Sequence, residues 1–151
     1  MSRTIQMILS GIFIAFIFDY LIFLGIFLHY IKPNEIDIFY NVMFKNNQNI
    51  LIFLPLSLLF GSIITYIKSQ KLALGILTIF ALYPVATLLI SPVGAGAGEI
   101  ILMKKDQQIV TKRYTYNGNI YYDGVENIFM SDNIEKGIFK IPKNKIEEGL
   151  Q

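Results

Sequence analysis

The sequence predicts an α-helical membrane protein with three transmembrane helices, a short amphipathic helix in the first loop and a small C-terminal β-hairpin module. Apolar stretches at residues 5–31, 50–67 and 72–91 each approach the length of about 20 residues that a membrane-spanning helix needs. Only 16% of the 151 residues are charged, whereas an average soluble domain has about a quarter. The charges are also unevenly placed, because residues 92–151 hold eight acidic and eight basic side chains and residues 1–91 hold three and five.

The residue inventory excludes several classes of function. A net charge of +2 gives no basic patch for nucleic acid, and the absence of cysteine excludes disulfides and thiolate sites. His29, the one histidine, lies ten residues from Asp19 on the same predicted helix, too far along it for a catalytic pair. We therefore expect no enzyme activity, no cofactor and no metal site. The abundance of Ile, Lys and Asn is typical of AT-rich bacterial genomes. Together with the three apolar spans, it predicts a multi-pass protein of the bacterial inner membrane.

The first span, residues 5–31, contains an acid, Asp19, near its middle. On insertion scales an Asp at a helix centre costs about 3 kcal/mol, while each Leu, Ile or Phe contributes about 0.3 to 0.6 kcal/mol in favour. Residues 8–27 hold fourteen of these apolar side chains. The span is therefore expected to insert, and Asp19 to face protein rather than lipid.

Small residues predict where the helices meet. Gly11 and Ala15 precede Asp19 at intervals of four, so the three share one face of the first span. The second span repeats the pattern with Ser57, Gly61 and Thr65, and such stripes let helices approach closely. These six residues are the predicted helix-packing or partner-docking surface. Within the chain, the hydroxyl groups available to Asp19 are those of Ser57, Ser62, Thr65, Thr78, Tyr83 and Thr87.

Lysines near the spans predict the topology. The connection at residues 68–71, KSQK, has two lysines and no acid, which favours the cytoplasm. The N-terminus is then cytoplasmic as well, and the first loop and the C-terminal module lie outside. Lys104 and Lys105, which lie within reach of the third span, favour the opposite orientation.

The first loop is predicted to contain a helix of about three turns. Asn34 is a good N-cap, and apolar side chains recur at helical spacing from Ile36 to Phe44 before the NNQN run. Packing of this helix on the spans and a position in the membrane interface fit the pattern equally well.

Residues 92–98, within the sequence SPVGAGAGE, are predicted to be a flexible Gly/Ala hinge. Residues 99–151 follow as a small extramembrane β-rich module, with strands at 99–103, 107–116 and 137–141. Asn117-Gly118 is a strong signal for a two-residue hairpin turn. That turn would pair Tyr114 with Tyr121 and Lys112 with Asp123.

Four tyrosines of the module, Tyr114, Tyr116, Tyr121 and Tyr122, are predicted either to anchor an outer protein interface or to line a sheet surface near the lipid headgroups. The expected partners are the lipid bilayer and other membrane subunits or further copies of the chain. Two functions follow. The first is a small accessory or assembly subunit that docks on a larger membrane complex through its first helix and outer module. The alternative is a component of a proton, ion or small-solute transport system with Asp19 as the titrating group.

Overall fold

The computed structural model describes residues 2–112, 114–132 and 137–148. Helices occupy the first two thirds of the chain and a β-sheet follows. The helices are α1 (Arg3–Ile26), α2 (Tyr40–Asn46), α3 (Ile50–Tyr66), α4 (Gln70–Leu89) and α5 (Ser91–Leu102). The strands are β1 (Lys104–Thr111), β2 (Thr115–Asp123), β3 (Asn127–Asp132), β4 (Ile138–Pro142) and β5 (Ile146–Glu148).

Two helices are long and apolar enough to cross a membrane. One is α1 together with a π-helical turn, Phe27–Ile31, that continues it to 29 residues, and the other is α4 with 20 residues. A third candidate exists only if α2 and α3 are taken as one span, which is bent by 89° between them. The predicted helical membrane fold is thus supported by length and composition for two spans, and for a third under this condition.

The stripe of small residues brings α1 and α3 together. A Cβ atom on Gly11 would collide with the carbonyl oxygen of Ser57, and one on Gly61 with the carbonyl oxygen of Met7. Because Met7 lies near the start of α1 and Gly61 near the end of α3, the two helices are antiparallel. Further along α1, Gly25 lies against the backbone of Thr87 in α4. The turn at residues 67–69 therefore lies at the end of the helices where α1 begins.

The predicted hinge at residues 92–98 is wrong, because this segment belongs to helix α5. Pro92 is well placed at its start, where a missing backbone N–H costs nothing. Gly94, Ala97 and Gly98 are buried on one face, and a Cβ on Gly98 would collide with the Tyr30 ring. The glycines therefore permit close helix packing against the π turn. The predicted strand at 99–103 is wrong for the same reason, since α5 continues to Leu102.

The helix of the first loop is shorter than predicted. It is α2, of seven residues, and residues 36–39 before it are not helical. Asn34 does not cap it; the Asn34 side-chain amide instead donates to the Tyr30 carbonyl oxygen at 2.8 Å and closes the end of the preceding helix. Tyr40 and Phe44 pack against four aromatic rings, those of Phe16, Tyr20 and Phe23 in α1 and of Phe27 in the π turn. The loop helix is therefore packed on the first helix, which is one of its two predicted positions.

The sheet is antiparallel with strand order β4-β3-β2-β1-β5, and β5 is a three-residue edge strand. The predicted hairpin turn at Asn117-Gly118 is wrong. β1 and β2 do form a hairpin, but Val110 pairs with Thr115, and Gly118 lies inside β2 opposite Gln107. Gly118 is needed there because a Cβ would collide with the carbonyl oxygen of Ser131 in β3. Contacts with a strand on each side of β2 thus override the local turn preference. The predicted strand at 137–141 corresponds to β4.

One hydrophobic core joins the helices to the sheet. Phe23, Ile26 and Ile31 of the first helix pack with Tyr122 and Phe129 of the sheet. The other sheet face has its own core, made of Ile109, Ile120, Ile128, Met130 and Ile141. The sheet is therefore built onto the C-terminal end of α1.

Candidate functional site

A cavity of about 500 Å³ lies beside Asp19. Its walls come from α1, α3, α4 and α5, and most of the lining is aliphatic or aromatic, including Phe18, Phe53, Phe60 and Ile101. Ligand sites in proteins have volumes of this order and combine apolar walls with a few polar groups. We call this space the Asp19 cavity.

The polar lining of the Asp19 cavity is concentrated where α2 ends and α3 begins. Asn47, Gln48 and Asn49 line it there, and the Gln48 side chain faces the half-buried Asp19 carboxyl group. Asn49 is fixed by its role as the N-cap of α3, because its Oδ1 accepts a hydrogen bond from the Leu51 N–H at 3.0 Å. The residues that line the cavity and that the structure describes include no Lys, Arg or His.

Most hydroxyl groups predicted to be available to Asp19 bind elsewhere. Those of Ser57, Thr78 and Thr87 donate to carbonyl oxygens within their own helices, at 2.8, 2.9 and 2.7 Å. The Ser62 hydroxyl donates to the Met7 sulfur. Of the six predicted donors, Tyr83 lines the Asp19 cavity. No sequence signal identifies Gln48, because the NNQN run predicts only the end of the loop helix.

The predicted docking residues of α1 and α3 lie within the chain. Gly11, Ala15, Ser57 and Gly61 are buried between helices. Thr65 is half-buried, and its hydroxyl has no hydrogen-bond partner among the described residues. Two of the six, Ala15 and Asp19, line the Asp19 cavity, and Asp19 is the polar one.

The four predicted interface tyrosines divide into two pairs. Tyr122 is 1% exposed in the core shared with the helices, and the half-buried Tyr121 stacks on Tyr30. The Tyr122 side chain is therefore covered, and one face of the Tyr121 ring is occupied by Tyr30. Tyr114 is 64% exposed, and Tyr116 lies beside it with the ring centres 6.2 Å apart.

Tyr114 and Tyr116 continue into a groove on the sheet, which we call the aromatic groove. Its volume is about 500 Å³. The Tyr116 ring lies 5.1 Å from that of Phe139 in β4, so three rings follow one another. Thr111 holds Tyr114 in place, because its hydroxyl accepts from the Tyr114 N–H and donates to the Tyr114 carbonyl oxygen. Lys112, Lys140 and Lys145 also line the groove.

The electrostatics of the opposite part of the sheet are dominated by Asp123. Lys104 and Lys143 lie 2.8 and 2.6 Å from its two carboxylate oxygens. Burial acts to raise the pKa of Asp123, but hydrogen bonds and attraction from the two lysines outweigh it, so the pKa is lowered. The predicted partner of Asp123 was Lys112, and in the structure Lys104 pairs with it instead. Next to it, burial raises the pKa of the Tyr122 hydroxyl, which faces the amides of Asn46 and Asn47 without reaching hydrogen-bonding geometry.

Within residues 2–112, 114–132 and 137–148, no three His, Cys, Asp or Glu side chains come together as a metal site would require. Compared with protein-family models, curated proteins and solved structures, the chain matches none.

Proposed function

We propose that this chain is an integral membrane protein that serves as a small accessory subunit, and that its aromatic groove binds an acidic segment of a partner membrane protein outside the bilayer. The groove supports this role because Tyr114, the most exposed of its rings, lies at an open surface and has its main chain fixed by two hydrogen bonds with the Thr111 hydroxyl. Tyrosine is enriched at protein interfaces since it contributes a large contact area at small entropic cost.

Charge indicates the kind of partner segment. The groove carries lysines at Lys112, Lys140 and Lys145, and its described lining contains no carboxylate. The Lys140 ammonium group lies 5.8 Å from the centre of the Phe129 ring, which leaves Lys112 and Lys145 for a ligand. A segment with one or two acidic residues beside an apolar side chain would complement this surface.

We also propose that the helices dock on a partner membrane protein, but not through the small residues of the first helix. The small residues of α1 are used to pack α3, so a second membrane protein would meet other parts of the helices. We keep the predicted orientation, in which the N-terminus and residues 68–71 are cytoplasmic and the sheet lies outside the inner membrane. The alternative function is a transport component with Asp19 as the titrating group. Among the described residues, no hydroxyl group of a predicted span donates a hydrogen bond to Asp19.

Photo-crosslinking tests the proposal. A photoreactive phenylalanine analogue at Tyr114 should give a discrete adduct with one membrane protein, which should also co-purify with the unmodified chain in mild detergent. The double change Lys112→Glu and Lys145→Glu should abolish the adduct. Val125, 70% exposed at the β2–β3 turn, is the matched control position and should give none. Equal adducts at both positions, or an adduct indifferent to the lysine changes, would rule out the aromatic groove as the docking site.

A further inference from the structure

The aromatic groove runs along the edge of strand β4. Four consecutive residues of this strand, 139–142, line it. Successive side chains of a strand point to opposite faces of the sheet, so a groove over one face would be lined by alternate residues only. The opposite wall is the segment where β1 turns into β2, and the two walls meet where the ring centres of Tyr116 and Phe139 lie 5.1 Å apart. A segment bound in the groove therefore lies beside the main chain of β4.

One side of β4 has no strand beside it in the part of the chain that the structure describes. In the order β4-β3-β2-β1-β5, β4 is at the edge of the sheet and pairs with β3. Apart from that pairing, its main-chain groups make no hydrogen bond to another main-chain group within residues 2–112, 114–132 and 137–148. The outer edge of β4 is thus open.

The register between β3 and β4 decides which main-chain groups face this open edge. In an antiparallel pair, opposite residues alternate between those that exchange main-chain hydrogen bonds and those that do not. The Lys143 N–H donates to the Glu126 carbonyl oxygen at 2.8 Å, just beyond the end of the ladder. This bonded pair is in register with the ladder, so the bonded positions within β4 are Phe139 and Ile141.

Ile138 and Lys140 therefore direct their N–H and C=O groups away from β3, to the open edge. Pro142 has the same orientation, so its missing N–H is not needed by β3 and adds no donor to the edge. An edge with free donors and acceptors is a template for a further strand. In such additions the main-chain hydrogen bonds give affinity, and side-chain pockets beside the edge give specificity.

We propose that the acidic partner segment binds in an extended conformation and pairs as an added strand with β4 at Ile138 and Lys140. Its acidic side chains reach the exposed Lys112 and Lys145, and an apolar side chain covers the Tyr116 ring. The paired positions of the segment hold no proline, because they must supply main-chain donors. This inference rests on the proposed docking at the aromatic groove and adds how the segment is held there.

Removing one edge donor tests the pairing. Lys140→Pro deletes the N–H that faces the open edge and should leave the hydrogen bonds to β3 intact, since Pro142 already occupies a position of the same kind. Lys140→Thr is the matched control, because it also removes the ammonium group but keeps the N–H. Each change is made in the full-length chain with the photoreactive phenylalanine analogue at Tyr114, and the adduct is measured in native membranes. Lys140→Pro should give about tenfold less adduct than Lys140→Thr, the effect of one hydrogen bond.

Hydrogen exchange covers the case in which Lys140→Pro does not fold. The chain that keeps Lys140 is measured alone and as the Tyr114 adduct. The amides of Ile138 and Lys140 should exchange more slowly in the adduct. Those of Phe139 and Ile141, which are already bonded to β3, should be slow in both forms.

The two proposals fail in different ways. Equal adducts for Lys140→Pro and Lys140→Thr, or equal exchange of the edge amides in the two forms, would overturn strand pairing. If the double change Lys112→Glu and Lys145→Glu still abolishes the adduct, the aromatic groove remains the docking site. Absence of any adduct at Tyr114 in the otherwise unmodified chain would overturn both proposals.

Discussion

The Tyr30 hydroxyl donates a hydrogen bond to the main-chain carbonyl oxygen of Tyr121 at 3.1 Å, and the two rings stack with centres 6.2 Å apart. Tyr30 lies in the π turn that continues α1, and Tyr121 lies near the C-terminal end of β2. This contact connects the long helix to the sheet. Since a small sheet is marginally stable alone, its attachment to α1 should contribute to its stability.

Removing the Tyr30 hydroxyl should weaken the sheet without removing the stacked ring. Tyr30→Phe is expected to lower the free energy of unfolding by about 1 kcal/mol, the usual net value of one hydrogen bond. Tyr66→Phe, at the exposed end of α3, is the control and should have no effect. The measurement is limited proteolysis within the sheet in detergent, and equal cleavage rates for the two variants would contradict the role of the contact.

The crossing of α1 and α3 should tolerate no side chain at Gly61. Gly61→Ala places a methyl group against the Met7 carbonyl oxygen, and backbone atoms cannot move aside as a flexible side chain would. A loss of about 2 kcal/mol or more is expected from overpacking. Gly75→Ala, also inside a helix but with no atom within 4 Å of the new Cβ, should be neutral or stabilising. Thermal unfolding of the two variants checks this, and similar midpoints would show that the helices do not cross as closely as described.

Helix α5 offers an internal comparison between two glycines. Gly98→Ala would meet the Tyr30 ring, whereas Gly96→Ala meets nothing within 4 Å. We expect Gly98→Ala to destabilise the chain and to increase proteolysis of the sheet, while Gly96→Ala should strengthen the helix slightly. A flexible hinge would respond alike to both changes. Hydrogen exchange of the α5 amides distinguishes the two cases, since a hinge would also exchange rapidly in the unmodified chain.

Acid should weaken the sheet through Asp123. Its pKa is lowered in the folded state, so its contribution is fully present above the unfolded value, near 3.9, and is lost as the pH falls through the folded value. Asp123→Asn should therefore cost about 1 kcal/mol at neutral pH and little in strong acid. Unfolding of both forms between about pH 6 and pH 2 measures this. A cost that does not change with pH would contradict the ion-pair explanation.

The long apolar runs predict helices correctly, whereas the Gly/Ala segment and the Asn-Gly pair predict a hinge and a turn that the structure does not have. The apolar stretches predict α1, α3 and α4 because a run of about 20 apolar residues has few alternative structures. The stripe of Gly11, Ser57 and Gly61 likewise lies where α1 and α3 meet.

Glycine was misread where its neighbours in space decide its role. The segment that contains Gly94 and Gly98 has the composition of a linker. In the structure, the absence of side chains at these two glycines makes room for His29 and Tyr30. In Asn117-Gly118 the turn preference is local, whereas β3 requires the glycine within a strand. Neither neighbour can be identified from one sequence.

The candidate sites were predicted in part. Asp19 was singled out because an acid in an apolar helix is costly, but the cavity beside it depends on how α2 and α3 are arranged, and Gln48 gave no signal. Tyr114 and Tyr116 line a surface groove, while alternation could not show that Tyr122 is covered by the helices.

Membrane insertion with the sheet on one side and residues 67–69 on the other is tested most directly by cysteine labelling, because the chain has no native cysteine. Ser69→Cys, Val125→Cys and Leu58→Cys are each exposed to a membrane-impermeant maleimide in sealed vesicles of both orientations. We predict that Ser69→Cys reacts from the cytoplasmic side, Val125→Cys from the opposite side, and Leu58→Cys only after detergent is added. Labelling of Ser69→Cys and Val125→Cys from the same side, or rapid labelling of Leu58→Cys in intact vesicles, would contradict the proposed membrane insertion.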